Sequence, residues 1–186
     1  MTSTPEQPEQ LRIEQRRVIW RSVWALGFCA VLLASGYMIL PRYYVFPHDL
    51  LERLVFVVRA DVFVLIWVLL GVRMVSRGRF RSPADIAGSA FTRPSPRLAV
   101  RVAFLQNTLE QAVVAVGCHV ALATLVSGPA LALIATSVVL FGIGRIAFLI
   151  GYPKGAGGRA FGMVVTSLPT FGGYLWAVTL IMIRAL

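Results

Sequence analysis

The sequence is poor in the residues that build disulfide frameworks, metal sites and acidic surfaces. Of its 186 residues only two are cysteine and two are histidine, and eight acidic residues stand against 18 basic ones. Cys29 and Cys118 lie inside apolar runs without a Cys-x-x-Cys spacing, so neither a disulfide framework nor a metal site is favoured. His48 and His119 are isolated in the sequence, and we expect packing or interface roles for both.

Long apolar runs dominate what is present. The chain is 58% hydrophobic, and several runs approach or exceed the roughly 20 residues that span a bilayer. The runs cover about residues 18–40, 54–72, 101–126, 130–151 and 161–183. A net charge of +10 is compatible with nucleic-acid binding, but the basic residues lie mainly in the connections between the runs. We therefore predict an all-α integral membrane protein with five spans, in contact with membrane lipid, and no nucleic-acid partner.

The basic residues also predict the orientation of the chain. All of them are arginine except Lys154, and they concentrate before the first run, in the connection 73–97 and in the bend after residue 152. Because cytoplasmic connections carry the excess of positive charge, we place the N-terminus and these two connections in the cytoplasm and the C-terminus opposite. We divide the chain into a polar N-terminal tail (1–17), a first transmembrane helix (18–40) and a helical domain (54–186).

An arginine within the fourth run poses a functional question. Arg145 shares one helix face with Phe148, Leu149 and Tyr152, at spacings of three, four and seven residues. An arginine that faces lipid at this depth costs about 2.5–3.5 kcal/mol on insertion scales. We therefore expect Arg145 to point into a protein interior and to have an acidic or anionic partner there.

The third run supplies a candidate for that partner. Asn107, Glu110 and Gln111 form a polar stripe on an otherwise apolar helix. Two interpretations remain open. In the first, Glu110 neutralises Arg145 across two helices as a structural pair. In the second, the two groups are opposite poles of a polar pocket that binds an anionic, hydrogen-bonding ligand.

These two segments carry a resemblance to a known family. The sequence from Gln106 to Gln111, followed by the sequence from Gly144 to Tyr152 and then Arg159, resembles the MAPEG family, membrane-associated proteins in eicosanoid and glutathione metabolism. The similarity covers the chain from about residue 54 to the C-terminus. It implies a four-helix MAPEG-like bundle, to which the helix 18–40 is an addition, in a prokaryotic-type member of the bacterial inner membrane.

The resemblance also implies a ligand and roles for individual residues. Members of the family form homotrimers that hold glutathione, a co-substrate, between neighbouring subunits, and no metal is implied. By position, Arg159 corresponds to the arginine assigned to activation of the glutathione thiol, which makes it the candidate catalytic residue. The residues expected to bind glutathione are Asn107, Glu110, Gln111, Arg145 and Tyr152.

Two functions are carried forward. The first is an integral membrane glutathione-dependent transferase or peroxidase that acts on a small lipophilic electrophile from the bilayer. The alternative is a non-catalytic MAPEG-fold subunit that binds lipid or has a structural role in a membrane complex, with helix 18–40 docking a partner subunit. Phe148 in place of the family's usual tyrosine and Ala103 in place of an arginine favour this alternative. The sequence has no inverted repeat to support a transporter.

Overall fold

A computed structural model describes the backbone of residues 6–185 and the side chains of residues 9–185. This part of the chain is helical and contains no strand. The long helices are α1 (Glu6–Tyr43), α2 (Leu50–Phe80), α3 (Pro96–Leu125), α4 (Leu131–Gly151) and α5 (Gly155–Ala185). Short 3₁₀ turns, Gly128–Ala130 and Tyr152–Lys154, precede and follow α4.

Helix α1 is longer than the sequence suggested. It was expected over residues 18–40 after a polar tail, yet residues 6–17 are already helical, and the helix continues through Pro41 to Tyr43. Residues 9–17 are rich in glutamate, glutamine and arginine, which are good helix formers, and some of their side chains contact α5. Residues 1–5, the start of the predicted tail, lie outside the described residues.

Side-chain caps fix the starts of α2 and α3. Asp49 accepts hydrogen bonds from the backbone N–H groups of Leu51 and Glu52 at 2.9 and 3.3 Å. Ser95 accepts from the N–H of Leu98, and Pro96 occupies the first turn, where its missing N–H costs nothing. These caps set where each apolar helix begins after its polar connection.

Helix α5 lies at the centre of the packing, against α1, α3 and α4, while α2 packs on α3 and α4. Helices α4 and α5 run antiparallel. This is shown by the contacts of Gly144 and Gly151, near the end of α4, with Gly162 and Gly158, near the start of α5. Cys29 of α1 packs into a buried cluster with residues of α4 and α5. The extra N-terminal helix is therefore part of the bundle.

Much of the apolar surface faces outward. Trp24 of α1 and Leu175 of α5 are 72% and 71% exposed, and large exposed apolar side chains occur on every long helix. Four helical stretches are long and apolar enough to cross a membrane: Glu9–Tyr43, Leu50–Phe80, Pro96–Leu125 and Gly128–Ala185. The last contains both α4 and α5. The protein is therefore an integral membrane protein whose outer surface is suited to lipid.

Candidate functional site

Arg145 is completely buried where α3, α4 and α5 meet. Its Nε and Nη2 atoms donate to the hydroxyl of Thr166 on α5, at 3.1 and 2.8 Å. Its Nη1 atom donates to Oδ1 of Asn107 on α3, at 2.8 Å. The hydroxyl of Thr166 in turn donates to the carbonyl of Gly162, at 2.9 Å. The guanidinium group thus ties three helices together through neutral partners.

The sequence led us to expect an acidic or anionic partner for Arg145, and the geometry differs. Glu110 lies on the exposed side of α3, where its carboxylate accepts a hydrogen bond from Gln106 at 3.2 Å. No ion pair joins Glu110 to Arg145 within residues 9–185. The reason is the position of each residue around the axis of α3. Asn107 lies beside the buried stripe formed by Phe104 and Thr108, whereas Glu110 points away from that stripe to the outer surface. Within one protomer the two charges are therefore not opposite poles of one pocket.

A column of three aromatic rings links the neighbourhood of Arg145 to Arg159. The column consists of Phe104, Phe148 and Tyr152, with ring centroids 6.4 and 5.4 Å apart in that order. The guanidinium of Arg145 lies 4.8 Å from the ring of Phe148, and that of Arg159 lies 4.9 Å from the ring of Tyr152. Cation–π contact therefore holds an arginine at two levels of the column.

Arg159 differs from Arg145 in its access. It is half-buried, and within the described part of the chain its side chain makes neither an ion pair nor a hydrogen bond. The ring of Tyr152 fixes the guanidinium from one side and leaves its N–H donors available. A positioned cation with free donors is suited to an anionic group of a ligand.

The bend that leads to Arg159 is held by α1. Glu14 accepts a hydrogen bond from the backbone N–H of Gly157 at 3.0 Å, and Arg21 donates to the carbonyl of Gly158 at 3.1 Å. Gly155 has a φ of +81°, which favours glycine. The sequence predicted a glycine-rich bend here but gave no indication that the N-terminal helix would bind it.

The six predicted site residues form two contacting pairs, and the other two residues belong to neither pair. Asn107 contacts Arg145, and Tyr152 contacts Arg159, whereas Glu110 faces outward and Gln111 is half-buried. Sequence reasoning missed Thr166, the main acceptor for Arg145, because one of three threonines on an apolar helix carries no distinctive signal. The binding and catalytic roles assigned to these residues remain predictions.

A second buried polar contact was also missed. Nδ1 of His119 on α3 lies 2.6 Å from Oδ1 of Asp61 on α2, and both side chains are buried. The sequence gave no reason to connect them, because 58 residues separate the two positions. Within the described residues, no group of three or more histidine, cysteine or acidic side chains is placed to hold a metal ion.

Comparison with known proteins identifies the family. Residues 54–179 match the model of the MAPEG family, which is more than half of the chain. Helix α1 lies outside this match. Comparison with curated proteins and with solved structures gave no match. The match spans α2 to α5, including both segments on which the resemblance was first noted, and the chain belongs to the MAPEG family.

Proposed function

We propose that this protein is a glutathione-dependent transferase or peroxidase of the membrane, acting on a small apolar electrophile that enters from the bilayer. The observation that carries the proposal is Arg159, a half-buried guanidinium fixed on the ring of Tyr152 with its donors unoccupied by the described residues. Such a group is suited to stabilise the thiolate of a bound thiol.

The physical reason is the acidity of the thiol. An unperturbed thiol with a pKa near 8.5 is mostly protonated at neutral pH, and the thiolate is the nucleophile. A nearby guanidinium favours the thiolate and never loses its own proton under these conditions. In the transferase reaction the thiolate sulfur forms a bond to an electrophilic carbon of the substrate, and the leaving group departs with the bonding electron pair.

The other site residues support a ligand on the outer face of α3. Arg145 is enclosed, so we assign it a positioning role: it holds Oδ1 of Asn107 and leaves the amide NH₂ group for a ligand. Glu110 is suited to the ammonium group of glutathione, with Gln111 beside it. An exposed carboxylate on a membrane-spanning helix is costly against lipid, so we expect the side of α3 that carries Glu110 to be covered by protein or ligand.

We propose that a neighbouring subunit covers the side of α3 that carries Glu110. In a homotrimer, the exposed face with Glu110 would lie against the next protomer, and glutathione would bind between the two. We also propose that α4 and α5 cross the membrane separately, which makes five spans, with the N-terminus in the cytoplasm of a bacterial cell and the protein in the inner membrane. The antiparallel packing of α4 and α5 supports the fifth span.

The proposal is tested by titrating glutathione into detergent-purified protein while following thiolate absorbance in the ultraviolet. We expect a saturable thiolate signal at neutral pH in the wild type and its loss in Arg159→Ala. Arg77→Ala removes an exposed arginine near the end of α2, a helix that carries none of the predicted site residues, and should retain the signal. Absence of binding and of thiolate in the folded wild type would exclude the enzyme.

One alternative has support of its own: a non-catalytic subunit that binds lipid or stabilises a membrane complex. The donors Nε, Nη1 and Nη2 of Arg145 are already engaged by Thr166 and Asn107, as in a structural anchor. Helix α1 lies outside the family match and exposes a wide apolar face, which would suit a partner subunit. In this case glutathione gives no thiolate signal, and Arg159→Ala behaves like the wild type.

A further inference from the structure

The buried pair of Asp61 and His119 is not used by the glutathione site. Each residue is 3% exposed, and the pair joins α2 to α3 inside membrane-spanning segments. Burial of ionisable groups away from water is expensive unless they neutralise one another or serve a ligand. The pair therefore calls for an explanation of its own.

His119 also lines a cavity on the other side of α3. The cavity has a volume of ≈ 310 Å³ and lies between α1, α3, α4 and α5. Its lining is apolar apart from a few groups. The thiol of Cys118 donates to the carbonyl of Thr170, and the hydroxyl of Ser137 donates to the carbonyl of Leu133. Both of these donors are already bonded within the protein. The lining side chains with an unbonded polar group are therefore His119 and Trp176, whose indole N–H makes no hydrogen bond with the described residues, and of the two only His119 is joined to a buried carboxylate.

The spare group is the second ring nitrogen. Nδ1 faces Asp61, and Nε2 makes no hydrogen bond with any of the described residues. Among these residues, the enclosed polar side-chain atoms without a hydrogen bond are Oδ2 of Asp61 and Nε of Arg79, and Nε2 of His119 is not one of them. Nε2 therefore keeps accessible surface, and because His119 lines the cavity, we infer that this surface faces it.

The role of Nε2 depends on where the two protons of an electroneutral pair lie. A pair enclosed in a low-dielectric interior is most stable with zero net charge. An imidazolium beside a carboxylate, or an imidazole whose Nδ1 accepts a hydrogen bond from a protonated Oδ1, has an N–H at Nε2. An imidazole protonated on Nδ1 beside a carboxyl protonated on Oδ2 leaves Nε2 as an acceptor. In the first two forms Nε2 offers a hydrogen-bond donor to the cavity, and ¹⁵N chemical shifts distinguish them from the third.

From this geometry we propose that the cavity is a binding site for a small apolar molecule that carries a carbonyl group, such as a ketone or a quinone, and that the carbonyl oxygen accepts a hydrogen bond from Nε2 of His119. The volume is at the lower end of the range for ligand pockets, about 300–1,000 Å³. The apolar walls would hold the body of the ligand, and Asp61 would fix the ring of His119 as a positioning residue.

The site is separate from the one proposed for glutathione. Leu26, Ala30 and Leu33 of α1 form part of the wall, and these positions lie outside the family match. Neither Arg145 nor Arg159 contributes to the lining. The inference therefore goes beyond the proposed function and stands if glutathione does not bind.

The first test uses the small number of histidines. Protein labelled with ¹⁵N only in histidine contains two ring spin systems, and His48→Gln assigns them. The probe is benzophenone, an apolar ketone, added to protein in nanodiscs. We expect the nitrogens of His119 to show a protonated Nε2 and to shift saturably with benzophenone. His48 lines a different cavity, of ≈ 1320 Å³, so a shift of its nitrogens reports binding there. An unprotonated Nε2, or no response of His119, would overturn the proposal.

The second test separates the hydrogen bond from the apolar fit. Diphenylmethane has the shape of benzophenone without the carbonyl oxygen, and we expect it to bind about tenfold more weakly. His119→Gln should weaken benzophenone binding by a similar factor, whereas Thr179→Val, a substitution outside both cavities, should not. Ultraviolet irradiation should crosslink benzophenone to peptides of α1, α3, α4 or α5. Equal affinity for both probes in the wild type would contradict the role of Nε2 even if His119→Gln fails to fold.

Discussion

At the scale of single residues, the hydroxyl of Thr166 is the least expected feature of this molecule. It accepts two hydrogen bonds from Arg145 and donates one to the backbone of its own helix. A neutral hydroxyl thus takes the place that the sequence assigned to a carboxylate. The buried cation is compatible with a membrane interior because each of its three nitrogens donates a hydrogen bond and two aromatic rings, Phe141 and Phe148, lie against it.

Thr166→Val tests this arrangement directly. Valine keeps the shape of threonine but leaves Nε and Nη2 of Arg145 without an acceptor, so we expect a loss of about 2 kcal/mol in the free energy of unfolding. Unfolding by SDS titration measures it. Thr179→Val is the matched control on the same helix, because Thr179 is exposed and bonds only its own helix backbone. Equal effects of the two substitutions would show that Arg145 does not depend on Thr166.

Asp85 provides a pH-dependent contact outside the membrane-spanning helices. Its carboxylate accepts hydrogen bonds from the backbone N–H and the hydroxyl of Ser95 at 2.8 and 2.7 Å. The backbone hydrogen bond, followed by bonds from the hydroxyls of Ser82 and Ser95, lowers the pKa of Asp85. In the unfolded chain the pKa of an aspartate is about 3.9, and in the folded protein that of Asp85 is lower. The stabilisation from the bonded carboxylate is therefore present above the unfolded pKa and is lost as the pH falls through the folded pKa.

We therefore expect acidification to destabilise the wild type more than Asp85→Asn. The contribution of the carboxylate is fully present at neutral pH and declines as the pH falls through the folded pKa of Asp85, whereas asparagine does not titrate. Thermal unfolding of both proteins from pH 7 to pH 3 measures the difference. Parallel curves over the whole range would mean that the contact between Asp85 and Ser95 does not contribute to stability.

At the scale of elements, glycines determine how closely α4 and α5 approach. A Cβ atom at Gly162 would lie 2.6 Å from the carbonyl oxygen of Gly144 and from the Cα atom of Phe148. Backbone atoms cannot move aside as a flexible side chain can. The close approach brings Arg145 within hydrogen-bonding distance of Thr166, so the small residues of α5 contribute to the site as well as to packing.

Gly162→Ala should therefore separate the two helices. We expect a substantial destabilisation and, if the proposed function holds, loss of glutathione binding. Gly172→Ala is the matched control, because a Cβ atom there meets nothing within 4 Å and the change leaves α5 intact or slightly more stable. The readouts are SDS unfolding and the thiolate titration. A Gly162→Ala protein as stable as the wild type would contradict the packing described here.

Helix α1 gives the second prediction at this scale. Glu14 accepts a hydrogen bond from the backbone N–H of Gly157, two residues before Arg159. Helix α1 therefore restrains the bend that positions the candidate catalytic residue. Glu14→Ala should speed amide hydrogen exchange in the bend 155–158. Glu9→Ala is the control, since Glu9 is exposed in the same helix and bonds no described residue. Unchanged exchange in Glu14→Ala would mean that α1 does not restrain the bend.

The sequence predicted the helices better than it predicted the contacts between them. Apolar runs placed α2 to α5, because an apolar stretch bounded by polar connections has few alternatives in a membrane. The pairs Arg145–Thr166, Asp61–His119 and Glu14–Gly157 were missed, since each joins different helices and depends on their rotation and spacing. The family resemblance assigned Asn107 and Arg145 to one glutathione site, which remains a prediction, and the structure shows a hydrogen bond between them. The rotation that turns Glu110 outward could be seen only in the coordinates.

At the scale of the whole molecule, the described chain is an integral membrane protein of the MAPEG family with two charged side chains, Glu110 and Arg159, that have no partner of opposite charge among the described residues. Glu110 lies exposed on a span, and Arg159 is half-buried near the start of α5 with donors unoccupied by the described residues. A single protomer accounts for the burial of Arg145 but not for these two groups. Assembly around glutathione would supply the cover for the carboxylate and the anion for the guanidinium.

The most direct measurement is a cryo-EM structure of the full chain in lipid nanodiscs with glutathione. The account predicts three-fold assembly, with glutathione between neighbouring copies, its sulfur within hydrogen-bonding distance of the Arg159 guanidinium and its ammonium group at Glu110. A particle in which Glu110 and Arg159 face lipid or a subunit with no glutathione near them would contradict the proposed enzyme and favour the structural subunit.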